Sequence, residues 1–155
     1  MKVILRDLRV LDSEISWKWR NDPEVWKLTA RTFTDYVSLE IEQDWIEKVI
    51  KRIDEKRFAI CVGDDQKYVG NIQLTHIKNG KARFHIFIGD KQYWGKGIAT
   101  NATQQILEYG FNSLKLKQIY LFVKKENVPA IRAYKKAGFS IIDEDNNEFT
   151  MEVSR

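Results

Sequence analysis

The sequence predicts one α/β domain built on a mixed β-sheet with helices packed against it. The chain has 155 residues and is 43% hydrophobic, which suits a single globular domain with its own core. Asn79-Gly80 lies between two strand-like runs and predicts an antiparallel hairpin, because both residues tolerate the positive φ of a tight turn. A strand, a helix and an apolar strand come next, and this order predicts a right-handed parallel crossover.

The N-terminal part of the chain predicts a strand followed by two short helices. Residues 2–9 form the predicted strand. Asp12 or Ser13 can cap a helix that includes residues 17–20, because short polar side chains accept hydrogen bonds from the first helical N–H groups. Pro23 suits the first turn of the second helix, where the missing N–H has no cost.

A longer helix is predicted from Ser38 to about Asp54. Apolar residues recur there at helical spacing, so one face of this helix should lie against a core. The predicted buried face consists of Ile41, Trp45, Ile46, Val49, Ile50 and Ile53.

Antiparallel strands follow this helix. They are predicted over residues 58–62, 68–77 and 82–88. A two-residue turn at 79–80 sets the register of the last two strands, so that His76 faces Arg83. In the same register Leu74 faces His85. Strand alternation then places on one face of the sheet Ile72, His76, His85 and Phe87.

The C-terminal half predicts a helix, a strand, a second helix and a terminal hairpin. These elements cover residues 95–112, 119–123, 129–136, 139–142 and 149–153. The apolar face of the first helix consists of Ile98, Ala102 and Ile106. The unbroken apolar run at 119–123 is typical of a strand covered on both faces. Gly138 is suited to end the second helix in a left-handed conformation.

Composition excludes several classes of protein. The 26 Lys and Arg against 22 Asp and Glu give a net charge of +4, which suits an anionic ligand but is too weak to indicate nucleic-acid binding. The chain has a single cysteine, Cys61, which excludes an internal disulfide and a cysteine-based metal site. It has only two histidines, so no metal is predicted. No apolar run approaches the roughly 20 residues of a membrane helix, so we expect a cytoplasmic protein without membrane binding.

A glycine-containing loop over residues 92–100 predicts an anion site. It lies between a strand and a helix, where unpaired N–H groups and the positive end of the helix dipole face outward. Gly95 and Gly97 allow unusual backbone angles and close approach of a phosphate, although they can also simply shape a tight turn. A P-loop is excluded because Lys96 precedes a glycine, and a dinucleotide fingerprint because no acidic residue follows Val123.

Two motifs resemble those of one known family. Gln92-x-x-Gly95-x-Gly97 is similar to the acetyl-coenzyme A pyrophosphate loop of the GNAT superfamily of N-acetyltransferases. A second segment of that family has its counterpart, in the same order along the chain, in Asn127, Ala130, Tyr134, Gly138 and Phe139. The resemblance implies a single GNAT-like domain over residues 1–155, with acetyl-coenzyme A (acetyl-CoA) as cosubstrate and no metal.

The resemblance also implies how the cofactor is held. The end of the strand before the loop would offer backbone groups to pantetheine, the loop would bind pyrophosphate, and the second motif would line the thioester. The implied cofactor-binding residues are Phe87, Ile88, Gly89, Gln92, Gly95, Lys96, Gly97, Ile98, Ala99, Thr100, Asn127, Ala130 and Tyr134.

The implied reaction is acetyl transfer to a primary amine by direct attack in a ternary complex. Residues 93–97 and 19–25 are most similar to the subgroup of ribosomal-protein N-terminal and nucleotide-amino-sugar N-acetyltransferases. The expected partner is therefore a small-molecule or peptide amine, bound by a monomer or homodimer. Two other functions stay open at this point: a non-catalytic acyl-CoA binding or sensing domain, and a basic ribosome-binding or nucleic-acid-binding module.

Acid and base catalysis can be assigned to two side chains. The resemblance implies that Tyr134 donates a proton to the leaving thiolate. Relatives of this subgroup carry an acidic residue on the strand before the loop, and the matching position here is Arg83, which cannot act as a base. His85 lies closer to the loop and is the predicted base, with His76 as the alternative; a purely structural role is the competing reading for each histidine.

Overall fold

The computed structural model describes residues 1–29 and 35–155, and Arg31, which the sequence places near the early helices, lies outside them. One mixed sheet has the strand order β1-β2-β3-β4-β5-β7-β6, which confirms the predicted α/β class. Its strands are β1 (Val3–Asp7), β2 (Lys56–Val62), β3 (Lys67–Lys78), β4 (Lys81–Ile88), β5 (Gln118–Lys124), β6 (Ser140–Glu144) and β7 (Glu148–Ser154). The helices are α1 (Ser13–Arg20), α2 (Pro23–Trp26), α3 (Leu39–Val49), α4 (Ile98–Glu108) and α5 (Val128–Ala137).

Strand pairing is antiparallel throughout the sheet except between β4 and β5, which are parallel. The prediction that the chain passes through α4 between two parallel strands is therefore confirmed. Within residues 1–29 and 35–155, no helix combines the length and apolar composition that crossing a bilayer requires.

The first turn of α1 is organised differently from the predicted cap. The Asp12 side chain does not cap the helix; it accepts hydrogen bonds from the Arg6 guanidinium at 2.7 and 2.9 Å and from the Arg9 N–H at 2.8 Å. A charged guanidinium is a stronger donor than a helical N–H, so it takes the carboxylate. Asp12 thereby ties the end of β1 to the start of α1.

Helix α3 is shorter than predicted, and its buried face is different. Ser38 caps it by accepting from the Ile41 N–H at 3.1 Å, and it ends at Val49, five residues before Asp54. Ile46 and Val49 are buried as predicted, but Ile53 is 99% exposed. Ile41 and Ile50 are exposed too, because the helix turns Glu42 toward α1 and places these two isoleucines at its margins.

The β3–β4 hairpin contains a bulge that changes the predicted register. Asn79 and Gly80 have φ of +53° and +77°, which confirms the tight turn between Lys78 and Lys81. His76 has φ of +51° and lies in a bulge, so that Thr75, not His76, faces Arg83. Beyond the bulge every predicted partner on β3 is displaced by one residue.

This displacement corrects two predictions about the face that carries His85. Gln73, not Leu74, is opposite His85, and Ile72 pairs with Ile86 on the other face of the sheet. His85 and Phe87 do share a face, because they lie two residues apart on β4. A one-residue slip moves a side chain to the opposite face, so the bulge decides which groups can meet.

Strands β4 and β5 separate soon after they begin to pair. Their parallel register covers only three residue pairs, from Lys81↔Gln118 to Arg83↔Tyr120. Strand β4 then stays with β3, while β5 pairs with β7 along all of its length. The prediction that β5 is covered on both faces is wrong: Ile119, Leu121 and Val123 are buried, but Phe122 is 43% exposed.

The remaining helices agree with the predicted pattern except at their ends. Helix α4 begins at Ile98, three residues later than predicted, and continues into a π-helical turn at 109–113. Its residues Ile98, Ala102 and Ile106 are buried in the main core. Helix α5 ends at Gly138, whose φ of +113° confirms the left-handed cap.

Gly89 packs directly under the Trp19 indole, and this contact provides a test of the fold. A Cβ at residue 89 would overlap the indole ring. We expect Gly89→Ala to lower the free energy of unfolding by about 1–3 kcal/mol, the usual cost of overpacking a core. In a Trp19→Ala background the same change should cost little, since the ring is gone. Urea unfolding of the four proteins measures this coupling, and additive losses would contradict the proposed contact.

Candidate active site

A cleft opens where β4 and β5 diverge, between the early helices and α5. It is lined by Arg20, Trp26, Leu28, Thr29, Trp45, Gln73, Arg83, His85, Ile86, Phe87, Phe122, Val123, Lys124, Asn127 and Tyr134. Ligand sites in sheets of this kind form where neighbouring strands separate, because there the side chains and free backbone groups of both strands are accessible.

Tyr134 projects from α5 into this cleft. Its ring is half-buried and makes edge contacts with Phe84 and Phe139, at centroid distances of 5.6 and 6.0 Å. Burial raises the pKa of the Tyr134 phenol above its ordinary value, because the phenolate would lose its hydration. The hydroxyl keeps its proton at neutral pH, as an ordinary phenol does, and can donate it to a group bound in the cleft.

Asn127 begins α5 beside the same cleft. Its side-chain oxygen accepts a long hydrogen bond of 3.4 Å from the Ala130 N–H and caps the helix. Asn127 and Tyr134 both line the cleft, whereas Ala130 packs against the main core. The structure thus brings two of the three predicted thioester residues to the cleft and gives Ala130 a packing contact.

The two histidines occupy different environments. His85 lines the cleft together with Tyr134 and is half-buried. His76 is exposed in the bulge, outside the cleft lining, and its Nδ1 lies 3.0 Å from the Thr75 hydroxyl oxygen. Geometry therefore separates them: only His85 is in position to meet a group bound in the cleft.

The glycine loop has the backbone shape of an anion site. Gly95 and Gly97 have φ of +71° and +77°, a conformation that L side chains rarely adopt, and both face open space. Gly97 is the residue before α4, and no side chain caps the helix there. The N–H groups of the first turn, residues 98–100, therefore have no intrahelical partner, and the helix dipole adds positive potential.

The other predicted residues of the loop differ in exposure. Gln92 and Lys96 are exposed, and the Lys96 ammonium lies 5.6 Å from the centre of the Tyr93 ring. The Ile98 side chain belongs to the core, so only its backbone faces the loop. Ala99 and Thr100 are half-buried in the first turn of α4.

Backbone groups at the end of β4 are directed alternately to β3 and to the gap beside β5. The Gly89 N–H donates to Val69 O at 2.8 Å, so Gly89 and Phe87 direct their backbone groups to β3. Ile86 and Ile88 then face the gap, and Ile88 O accepts a hydrogen bond of 2.8 Å from Trp94 Nε1. Of the three residues predicted here, only Ile88 directs its backbone groups into the gap. Ile86 does so too but was not among the predicted residues, although the alternation of backbone direction along a strand could have identified it.

A buried ion pair forms the wall of the cleft opposite α5, and the sequence pattern did not predict it. Arg20 Nε lies 3.1 Å from Glu42 Oε2, and the two side chains are 4% and 3% exposed. The Ser16 hydroxyl donates to the same carboxylate at 2.6 Å. The Arg20 guanidinium also stacks against the rings of Trp45 and Phe87, at 4.8 and 5.0 Å from their centres.

Comparisons with known proteins identify the family of this chain. A sequence profile described as acetyltransferase (GNAT) domain matches residues 2–140. The chain is 30% identical over 141 residues to N-acetyltransferase p20 of Bacillus licheniformis, covering 89% of this chain and 79% of that protein. It is 39% identical over 107 residues to spermidine N(1)-acetyltransferase of Escherichia coli strain K12, covering 68% of this chain. The match spans only 56% of the E. coli protein's length.

A solved structure has the same fold. Spermidine N-acetyltransferase from Vibrio cholerae, in complex with CoA and spermine, superposes with a TM-score of 0.87 and covers 98% of this chain and 95% of that one. Its sequence identity is 24%, so this likeness concerns the fold alone. With the profile match over most of its length, the protein belongs to the GNAT family of acetyltransferases.

Proposed function

We propose that residues 1–155 form one catalytic domain that moves an acetyl group from acetyl-CoA to a primary amine by direct attack in a ternary complex. The observation that carries the proposal is the placement of Tyr134 and His85 in one cleft between diverging parallel strands. The family membership supports the same reaction class. A protonated phenol and an imidazole in one cleft provide the acid and the base that amide formation from a thioester requires.

The residues present fit acetyl-CoA. The uncapped start of α4 and the left-handed glycines at 95 and 97 suit its pyrophosphate, since N–H groups there lack other partners. Ile86 and Ile88 present backbone groups along the gap toward the cleft. When bound, acetyl-CoA supplies the activated carbonyl, and the chain positions it and handles the protons.

Tyr134 is proposed as the general acid. A phenol keeps its proton at neutral pH, and burial raises the pKa of Tyr134 further, so the hydroxyl is present as a donor toward a developing thiolate. Its ring contacts with Phe84 and Phe139 restrict the side chain and fix the direction of the hydroxyl.

His85 is proposed as the general base, directly or through a water molecule. An alkylammonium has a pKa of roughly 10.4, so at neutral pH only a small fraction of an amine is nucleophilic without help. Among the described residues that line the cleft there is no carboxylate to accept the proton. An imidazole is the side chain best suited to accept a proton near neutral pH.

The acceptor class has more than one candidate. The N-terminal segments resemble acetyltransferases of nucleotide-linked amino sugars and of protein N-termini, whereas the E. coli relative is named for spermidine. The test is steady-state release of free thiol from acetyl-CoA with amines of each class, with mass spectrometry of the acetylated product. Binding of acetyl-CoA without thiol release for any amine would favour a non-catalytic binding domain.

A first prediction concerns the loop. Gly97→Glu should weaken acetyl-CoA binding by about tenfold or more, because it places bulk and negative charge at the start of α4. Gly80→Glu is the matched control, since Gly80 has the same φ of +77° in the distant hairpin turn. Calorimetric titration measures both affinities. Equal affinities in the two variants would place the cofactor elsewhere.

The second prediction concerns the acid. Tyr134→Phe should lower kcat by about 10²–10⁴-fold and leave the acetyl-CoA Kd nearly unchanged, because it removes the donor and keeps the ring. Since burial raises the pKa of Tyr134, the wild type should not lose this donor up to about pH 10. Tyr109→Phe, outside the cleft, is the control. An unchanged rate under conditions where chemistry limits turnover would reduce Tyr134 to a packing role.

The third prediction concerns the base. His85→Gln should remove the acidic limb of the pH profile of kcat/KM, which in the wild type should rise as the imidazole loses its proton. His76→Gln is a matched control, because His76 is exposed in the bulge. If His85→Gln retains both the rate and the pH profile, the amine is deprotonated in solution or through water alone.

A further inference from the structure

We propose that the acceptor amine also carries an anionic group, a carboxylate or a phosphate, and that Arg83 binds this group. The inference rests on the acetyltransferase function proposed above and names the substrate class for the same cleft. It departs from the polycation named for the E. coli relative.

The charges of the cleft lining carry the first step. Among the described residues that line it, the cations are Arg20, Arg83 and Lys124, and no carboxylate is present. A polyamine site needs negative groups to replace the hydration of each ammonium, and like charges there oppose binding. The cleft therefore favours a ligand with negative charge.

Arg20 does not contribute to this preference. Its guanidinium is paired with Glu42 at 3.1 Å, deep in the wall of the cleft, so the two charges cancel. Lys124 has a carboxylate of Glu126 at 3.9 Å, which is an exposed and weak pair. Arg83 and Lys124 are therefore the two cations of the described cleft lining that can attract an anion, and Arg83 is the one on the strand that carries His85.

Arg83 is held in place but lacks an acceptor for one of its donors. Its guanidinium lies 4.9 Å from the centre of the Phe122 ring, a stacking contact that restricts it. Its Nε is buried and has no hydrogen-bond partner. A buried N–H without an acceptor is unfavourable, and binding of an anionic oxygen to the same guanidinium would offset that cost.

The position of Arg83 relates it to the chemistry. It lies two residues before His85 on β4, so both side chains are on the same face of the sheet. Arg83 is also at the last parallel pair, opposite Tyr120, where the cleft begins. An acceptor could therefore present its amine near His85 and its anion to Arg83.

Two carboxylates of strand β7 also lie on this face of the sheet. Glu152 is opposite Tyr120 on β7 and accepts a hydrogen bond from Ser154, and Glu148 is opposite Lys124. Neither lines the cleft. They are one strand beyond β5, so they leave the charge of the cleft lining uncompensated.

The test compares matched amines on the wild type and on Arg83→Gln. The probes are 2-aminoethanol with O-phosphoethanolamine, propylamine with β-alanine, glucosamine with glucosamine 6-phosphate, and spermidine. In the wild type the anionic member of a pair should have a kcat/KM about tenfold or more above its neutral parent, mainly through KM. The phosphate and carboxylate pairs show which anion is preferred. Arg83→Gln should abolish the preference by lowering the kcat/KM of the anionic member to that of its neutral parent.

Two further variants and a binding measurement complete the test. Lys51→Gln removes the same charge from an exposed residue beyond α3 and should retain the preference. Arg83→Lys keeps the charge but not the forked donors, so it should retain part of the preference. The acetyl-CoA Kd should be the same in all of these variants.

Distinct results would overturn the inference. Equal or better turnover of neutral amines or spermidine by the wild type would overturn it and leave the acetyltransferase function intact. An equal loss of kcat for every amine in Arg83→Gln, or a weakened acetyl-CoA Kd, would assign Arg83 to chemistry or to the cofactor instead. Binding of acetyl-CoA without thiol release for any probe would defeat the acetyltransferase function, and this inference with it.

Discussion

The early separation of β4 from β5 is the constraint on which the rest of the site depends. Two parallel strands that pair over only three residues leave the backbone groups of Ile86 and Ile88 directed into a gap. Unpaired N–H and C=O groups are costly when water cannot reach them, so such a gap persists only where a ligand or side chain can meet them. Trp94 does so at one carbonyl. The cleft at this gap is lined by both Tyr134 and His85.

A buried carboxylate, Glu42, holds together the wall of the cleft that the early helices form. The sequence pattern gave no reason to expect a charged residue in this core. The Glu42 carboxylate accepts from Arg20 and from Ser16, and both side chains of the ion pair are almost fully buried. A buried charge is tolerated when its partner and its hydrogen bonds are complete, and removing either partner leaves the other unpaired. This pair joins α1 to α3, while the Arg20 guanidinium stacks on Phe87 of β4. The wall is thus fixed relative to the strand that carries the proposed base.

Most of the fold could be predicted from local sequence patterns. The parts of the site that could not be predicted depend on contacts between residues that are distant in the sequence. The Asn79-Gly80 turn, the apolar face of α4 and the cap at Gly138 depend on a few neighbouring residues, so the sequence was sufficient for them. The bulge at His76 inserts a residue into one strand only, and no pattern in β3 announces it. It put Ile72 on the other face of the sheet from His85, and Thr75 in place of His76 opposite Arg83. The exposure of Phe122 and Ile53 depends on what covers β5 and α3, which is a tertiary property.

Arg83 links the proton chemistry of the cleft to the charge of its acceptor. In the family pattern that the sequence resembles, an acidic residue occupies this position, where it could both accept a proton and attract a cationic amine. An arginine can do neither, so we propose that this one position accounts both for the base at His85 and for a preference for anionic acceptors. The proposed base His85 lies on the same face of β4. Unlike an acidic residue, an imidazole that accepts a proton carries no negative charge beforehand, so it does not neutralise the guanidinium. An acceptor with its own anion would replace the missing negative charge, and in that case one strand position would decide both the base and the class of substrate.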